Sequence, residues 1–462
     1  MFSRRSLLAL ALASFAPALH AEPLPRLKVS ENHRFLTTEK GAPFFYLADT
    51  AWELFHRATR EDAEEYLRDR AAKGFTAIQA VALPEFGCFD TPNRYGHLPL
   101  IGGDVTQPDE AYFEHVDWVV KRAGELGLYI ALVPTWGDKV NKKWGAGPEV
   151  FTPENARVFG EWLGRRYKDA PVIWVNGGDR PIENERHRAV FRALAEGLRA
   201  GDGGAHLITF HPMGGSSSSA YVHDEAWLDF NMMQSGHGGR NNASYRMIER
   251  DYARMPPKPT LDGEPNYEDH PVRGSKVADD WFGEWDVRKE VYWSVFAGGC
   301  GVTYGCHPIW QFWDGKTAKL ADPRHSWRED LALPGAAQVG FLRRLIESRP
   351  QLTRLPDQTL IVSPNPDGPA HAQATRDAEG SYAFIYLPTG QPVTLALAKL
   401  RGKKLRAAWW NPRRGEVAPG PTEMENTGAE TEFKPPTAGD ENDWVLILND
   451  AEKYPATPAP KP

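Results

Sequence analysis

Two carboxylates in this chain stand where a carboxylate can be aimed. Asp179 closes the run VIWVNGGDRP, Val172 to Pro181, and Glu264 lies in PTLDGEP, directly before Pro265. Each follows a short apolar stretch of strand type and a turn that contains glycine. Two acids delivered to opposite sides of one bound molecule can divide a hydrolysis between them. One protonates the leaving oxygen; the other attacks the carbon or activates water, as glycoside hydrolysis requires. A lone Asp in a Gly-rich loop is ordinarily a turn or cap residue. The assignment therefore rests on Asp179 facing Glu264, with Asp49 and Asp262 as competing acids.

Such a pair needs elements that hold it. Strand-like runs alternate with helical ones from about residue 44 to residue 348. The strands are PFFYLAD, TAIQAVAL, YIALVPTW, VIWVNGG, HLITFHP, DFNMMQSG, PTLDGEP and GVTYGCH. Between them lie stretches such as EDAEEYLRDRAAKG and AYFEHVDWVVKRAGELG, whose apolar residues recur at three and four, as in a helix packed on a sheet. Eight such units over about 300 residues predict a (β/α)8 barrel. A doubly wound sheet also alternates, but no Gly-rich phosphate turn follows the first strand. Strands four and seven lie across a barrel from each other, which puts Asp179 and Glu264 on facing walls.

Active sites of barrels sit at the C-terminal ends of the strands. In chain order these ends supply Asp49 and Trp52; Gln79, with Glu85 further out; Trp136 and Asp138; Asn176 and Asp179; His211; Gln234 and His237; Asp262 and Glu264; and Tyr304, His307, Trp310 and Trp313. The mouth is expected to be deep and polar, with several flat faces. Asp49, Gln79, Asn176, His211, Gln234, His237, Tyr304 and His307 are expected to hold hydroxyl groups. Trp52, Trp136 and Trp310 are expected to be stacking walls. The histidines at 211, 237 and 307 come from different strands without close ligand spacing, which favours hydroxyl contacts over a metal. Acid/base and nucleophilic chemistry of this kind requires no cofactor.

Composition bounds the alternatives. The chain has 462 residues and a net charge of −7, so it offers no broad cationic surface for nucleic acid. Its 41% hydrophobic and 25% charged fractions are those of a globular protein, and the length suggests two domains. Three cysteines, Cys88, Cys300 and Cys306, cannot form a fully paired set; buried free thiols are expected. Residues 1–21, MFSRRSLLALALASFAPALHA, read as an export signal, with SRRSLL resembling a twin-arginine signal and a general secretory signal as the alternative. The expected location is periplasmic or secreted. The apolar run is too short for a good membrane span, and no later segment qualifies.

The catalytic barrel is assigned to residues 22–349, with LKVSENHRFLTTEKGAPFFYL as a hairpin at its base. From residue 350 to 450 short strands such as SYAFIYLP, LRAAWWNP and DWVLILN alternate with Gly/Pro turns and no helix. That pattern predicts a small antiparallel β-sandwich. The Pro-rich residues 451–462 are expected to be disordered.

Seven motifs in order, FFYLADTAWELF, GFTAIQAVALPEFG, VIWVNGGDRP, HPMGGSSSS, MMQSGHGG, DGEPNYED and GVTYGCHPIWQF, resemble the apiosidase-like glycoside hydrolases, family 140, across roughly residues 27–348. The C-terminal strands resemble the collagen-binding-type domain that follows the barrel in such proteins. The resemblance implies a (β/α)8 barrel and a retaining pair, with Asp179 matching the acid/base of the NGGD motif and Glu264 the nucleophile of the GEP motif. It also implies release of D-apiose from branched pectin side chains. The partner expected is thus an oligosaccharide or polysaccharide, and the oligomeric state is left open. Two rivals come from other classes: a glycan-binding barrel without hydrolysis, separated by assays on aryl glycosides, and an adhesive protein acting through the sandwich, separated by polymer binding of residues 350–449.

Overall fold

The computed structural model describes residues 23–454 apart from 274, 276, 278 and 321. Residues 1–22, which include the expected export signal, and residues 455–462 of the tail lie outside the described residues. Residues 451–454, expected as disordered tail, form a turn in which Tyr454 N–H donates to Asp450 O at 2.9 Å. The Arg349 guanidinium covers the Tyr454 ring at 4.5 Å, so the turn is packed rather than free.

Eight strands build the barrel: β1 (Tyr46–Thr50), β2 (Ala77–Leu83), β3 (Tyr129–Thr135), β4 (Val172–Gly177), β5 (Ile208–His211), β6 (Asn231–Gln234), β7 (Thr260–Asp262) and β8 (Gly301–Tyr304). They neighbour one another in the order 5-4-3-2-1-8-7-6, and the ladders between them are parallel. Single bonds draw β5 and β6 together: Asp229 N–H to Ile208 O at 2.9 Å and Thr209 Oγ1 to Phe230 O at 2.7 Å.

Helices α1 (Arg60–Ala72), α2 (Glu110–Glu125), α3 (Pro153–Tyr167), α4 (Glu185–Asp202), α5 (Ser244–Tyr252), α6 (Glu284–Phe296) and α7 (Pro334–Glu347) occupy the connections and the final return. Thr59 and Thr152 start α1 and α3 with reciprocal capping boxes. The β5–β6 connection is instead a short strand, Ser216–Ser217, and a 3-10 turn, Ser218–Ala220. Its serines account for this, because Ser217 and Ser219 donate to the Asp251 carboxylate at 2.5 Å each rather than leaving the backbone to coil.

Side chains alternate strictly across the barrel wall. Tyr46, Ala48, Ala77, Val81, Ile173, Val175, Met232 and Leu261 fill the inside, while Leu47, Ile78, Trp174, Met233 and Val302 pack outward against helices. The antiparallel strands Leu27–Val29, Leu36–Thr38 and Pro43–Phe44 close the base, where Leu27, Phe35 and Leu36 join the inner core.

The C-terminal unit is an antiparallel sheet that includes Gln373–Asp377, Tyr382–Leu387, Lys404–Asn411 and Trp444–Asp450, covered by the pair Val393–Ala396 and Glu430–Phe433. Phe384 and Tyr386 face the barrel, and Ala383, Ile385 and Leu387 face the covering pair. Helix α6 is caught between barrel and sheet, and Asp286 to Phe296 are all buried. Arg288 on α6 grips Asp443 with two bonds of 3.0 Å, and Trp293 Nε1 donates to His371 O at 2.8 Å. All three cysteines are buried free thiols. Among the described residues no helix is long and apolar enough to cross a membrane.

Candidate active site

A cavity of about 850 Å³ opens at the C-terminal ends of the strands, and both Asp179 and Glu264 line it. Gly177, Gly178 and Asp179 carry φ values of 91°, 120° and 50° in succession, so the chain leaves β4 through three left-handed residues. No side chain fits at either glycine. A Cβ on Gly177 would stand 2.4 Å from His211 O, and one on Gly178 2.6 Å from Gly137 N. The turn sets the Asp179 backbone N–H on Nδ1 of His211 at 3.2 Å. That bond makes Nδ1 an acceptor and leaves Nε2 as the protonated nitrogen. Nε2 lies 3.0 Å from Oε2 of Glu264, so one imidazole joins the two acids.

His237 completes the hold on Glu264, with Nε2 at 3.1 Å from Oε1. The Glu264 backbone N–H reaches Oδ1 of Asp262 at 3.3 Å. Burial by itself would raise the Glu264 carboxyl, but the contacts of His211 and His237 outweigh it and hold it far below the usual carboxylate range. Asp179 goes the other way. Burial first, and the charge of Glu264 second, push it above its ordinary value, against the charge of Arg180 and the hydrogen bond from Trp144. One acid is kept ionised and the other is biased towards its proton.

Of the expected contacts, Trp52, Trp136, Gln234, His237 and Trp310 line the cavity. Trp52 and Trp136 meet at 5.0 Å between centroids, and both pack on the His211 ring. Oε1 of Gln234 is buried with no protein partner, an acceptor left for a ligand. Gln79 points inward but lies below the cavity floor, donating to Gly263 O at 2.9 Å.

Six expected hydroxyl contacts do not line the cavity: Gln79; His211, which is fully buried against Asp179 and Glu264; and four more. Asp49 points outward through the wall to Tyr66 OH at 2.7 Å and Arg70 Nε at 2.5 Å. Asn176 points outward to Phe191 O on α4 at 2.8 Å. Tyr304 points outward, and its hydroxyl donates to Glu268 at 2.6 Å. Each has the outward parity of its strand. His307 is buried behind the wall, its Nδ1 accepting from Trp310 Nε1 at 3.2 Å and its ring 4.5 Å from that of His270.

Other residues at the site had not been assigned a role from the sequence. Arg180 Nη1 donates to Oδ2 of Asp179 at 2.9 Å, and Nη2 to Oε1 of Glu85 at 2.5 Å. Glu85 lines the cavity, and burial pushes its carboxyl up to about 7 against the pull of Arg180. Trp144, 58% exposed, donates from Nε1 to Asp179 at 3.2 Å, with the Arg180 guanidinium 4.8 Å from its ring. His270 stacks on His237 at 4.4 Å, and Tyr267 packs tilted against it at 4.3 Å. A tryptophan in the polar loop KVNKKWGAGP and a cation directly after Asp179 were the available signals.

The family model described as "Apiosidase-like, catalytic domain" matches residues 30–353. The one described as "Putative collagen-binding domain of a collagenase" matches residues 355–449. A solved structure described as a glycoside hydrolase is 33% identical with a TM-score of 0.84, covering 94% of this chain and 98% of that chain. A glycoside hydrolase family 5 from Bacteroides vulgatus is 32% identical with a TM-score of 0.85, covering 94% of this chain and 95% of that one. No curated protein matches the chain.

Proposed function

This chain belongs to the apiosidase-like family of glycoside hydrolases, and we propose that it releases a terminal sugar by a retaining mechanism with Glu264 as nucleophile and Asp179 as acid/base. The observation that carries this reading is the single imidazole of His211, which lies against the backbone N–H of Asp179 and the carboxylate of Glu264, both acids lining one cavity. In the first step Glu264 attacks the anomeric carbon while the proton of Asp179 passes to the glycosidic oxygen. The C–O bond breaks, and an ester joins the sugar to Glu264. In the second step Asp179, now a carboxylate, takes a proton from water as its oxygen attacks the same carbon. The ester breaks, and both acids return to their starting states.

The chain's other residues serve these steps. His211 and His237 keep Glu264 ionised and fix its orientation. Trp52, Trp136 and Trp310 supply apolar faces, and Gln234 an acceptor for a hydroxyl. A cavity of about 850 Å³ is large enough to take the end of an oligosaccharide. The family relationship favours a terminal apiose-like furanoside on a pectic side chain. The test is incubation with pectic oligosaccharides and with aryl glycosides, pentofuranosides included, with the released sugar followed by NMR. Release of a terminal sugar whose first-formed anomer has the substrate's configuration supports the reading. An inverted anomer overturns the nucleophile, and internal cleavage overturns exo action.

The same reading places the enzyme outside the cytoplasm, on the strength of SRRSLL and the apolar run after it. Replacement of Arg4 and Arg5 by Lys should block export. Normal export of that variant would overturn the twin-arginine route, and an uncleaved cytoplasmic precursor in the native host would overturn export itself.

A further inference from the structure

Asp269, His325 and Asp330 converge one residue away from the cavity-lining His270. Their geometry treats both carboxylates alike. Arg324 donates to Oδ1 of Asp269 and lies 4.2 Å over the Trp281 ring, which keeps that guanidinium in place. The Cys306 thiol donates to Oδ2 of Asp330 at 3.4 Å. The remaining oxygen of each acid faces Nδ1 of His325, at 3.6 Å for Asp269 and 3.1 Å for Asp330. Oδ2 of Asp269 is buried and has no hydrogen-bond partner, a costly state for a carboxylate oxygen unless a further group meets it.

The spacing fits a coordination sphere as well as an ion pair. Ligands bound tetrahedrally at about 2.0–2.1 Å stand about 3.3 Å apart, and the two separations here bracket that value. The three ligand atoms all lie within 4.8 Å of one another. The acids are 3% and 2% exposed and His325 49%, so two ligands are fixed while the third lies on an open side that also admits water. An imidazole with two carboxylates suits a borderline transition ion. Calcium and magnesium favour larger all-oxygen sets. The neighbours Arg324 and Cys306 act as outer partners that orient the two acids.

We propose that Asp269, His325 and Asp330 bind a divalent cation of the Zn2+ class. The ion would fasten the segment after β7 to the segment after β8. The first carries His270 to the cavity and the second carries Lys319 and Leu320. It would take no part in the acid/base chemistry, and the proposal stands independently of the reaction.

The test uses the full chain, stripped with chelator and titrated with ZnCl2, MnCl2 and CaCl2 by calorimetry, with Tm followed in parallel. One Zn2+ per chain is expected, with a Tm that rises to a plateau and weaker binding of Ca2+. Asp330→Asn and His325→Ala should each weaken Zn2+ binding by at least about 10-fold, since even outer-sphere losses cost that much. His325 is half exposed, so His325→Ala retains the fold should Asp330→Asn lose it; unchanged circular dichroism without metal checks this. Absence of one-to-one Zn2+ binding overturns the proposal and leaves His325 as an ion-pair partner only. Undiminished binding by His325→Ala also overturns it, because the ion then sits elsewhere.

Discussion

The guanidinium of Arg180 lies 2.9 Å from Oδ2 of Asp179, the residue that follows β4 and is assigned the proton-donating role. A fixed positive charge there works against a proton on Asp179. Glu85 shares the same guanidinium at 2.5 Å and draws part of that charge away. The proton affinity of Asp179 is therefore set by burial first, then by Glu264 and Arg180, with Glu85 acting through the guanidinium it shares.

That arrangement fixes the sign of two pH shifts. Asp179 must start protonated, so activity falls as pH rises through its raised value. Glu85→Gln removes a negative neighbour and leaves Arg180 to Asp179 alone, which lowers the Asp179 value. The alkaline limb of kcat/KM should then move to lower pH. Arg180→Met should move it to higher pH. Profiles in which neither limb moves would remove both residues from the control of Asp179.

The two acids should separate by leaving group. Asp179→Ala should slow cleavage of natural oligosaccharide by about 10²–10⁴-fold, and cleavage of nitrophenyl glycosides far less, because a nitrophenolate needs no proton. Added azide should restore part of the activity by attacking the glycosyl-enzyme without a base. Glu264→Ala should lose both substrates. Equal losses in both variants, with no rescue by azide, would end the assignment of Asp179.

Asp49 should matter to stability and leave substrate binding alone. Its carboxylate and the Arg70 guanidinium are both fully buried, 2.5 Å apart. Asp49→Ala leaves the buried Arg70 guanidinium with Asp69 alone, at 2.6 Å, and should cost up to about 3–5 kcal/mol of unfolding free energy, read from denaturant curves. KM of the folded fraction should stay at the wild-type value; a raised KM would return Asp49 to the cavity.

The C-terminal sheet should not melt apart from the barrel. Arg288 and Asp443 are 1% and 0% exposed across their contact. Asp443→Ala should lower the unfolding free energy of the whole chain, again by about 3–5 kcal/mol, with barrel and sheet tryptophans reporting one transition. A barrel transition left at its wild-type midpoint would show the contact to be dispensable.

Much of this molecule could be read without coordinates. Seven of the eight barrel strands fall within the apolar runs and β1 overruns its run by Thr50 alone, because a strand buried on both faces is largely apolar. VIWVNGGDRP and PTLDGEP carry Asp179 and Glu264 to one cavity, since a polar turn after each run leaves a strand end as the only place for them. The same burial hid the parity of each strand. With both faces apolar, nothing in YLAD or VIWVNG says which residues look inward, and so Asp49, Asn176 and Tyr304 were expected in a cavity to which their strands turn their backs. Only the closed ring decides parity, because the inside holds one layer and the helices demand the other. Arg180, Trp144 and Glu85 meet Asp179 for a similar reason. They lie on loops distant in sequence or in a turn of left-handed residues, and their convergence is a product of the assembled barrel mouth rather than of any local pattern.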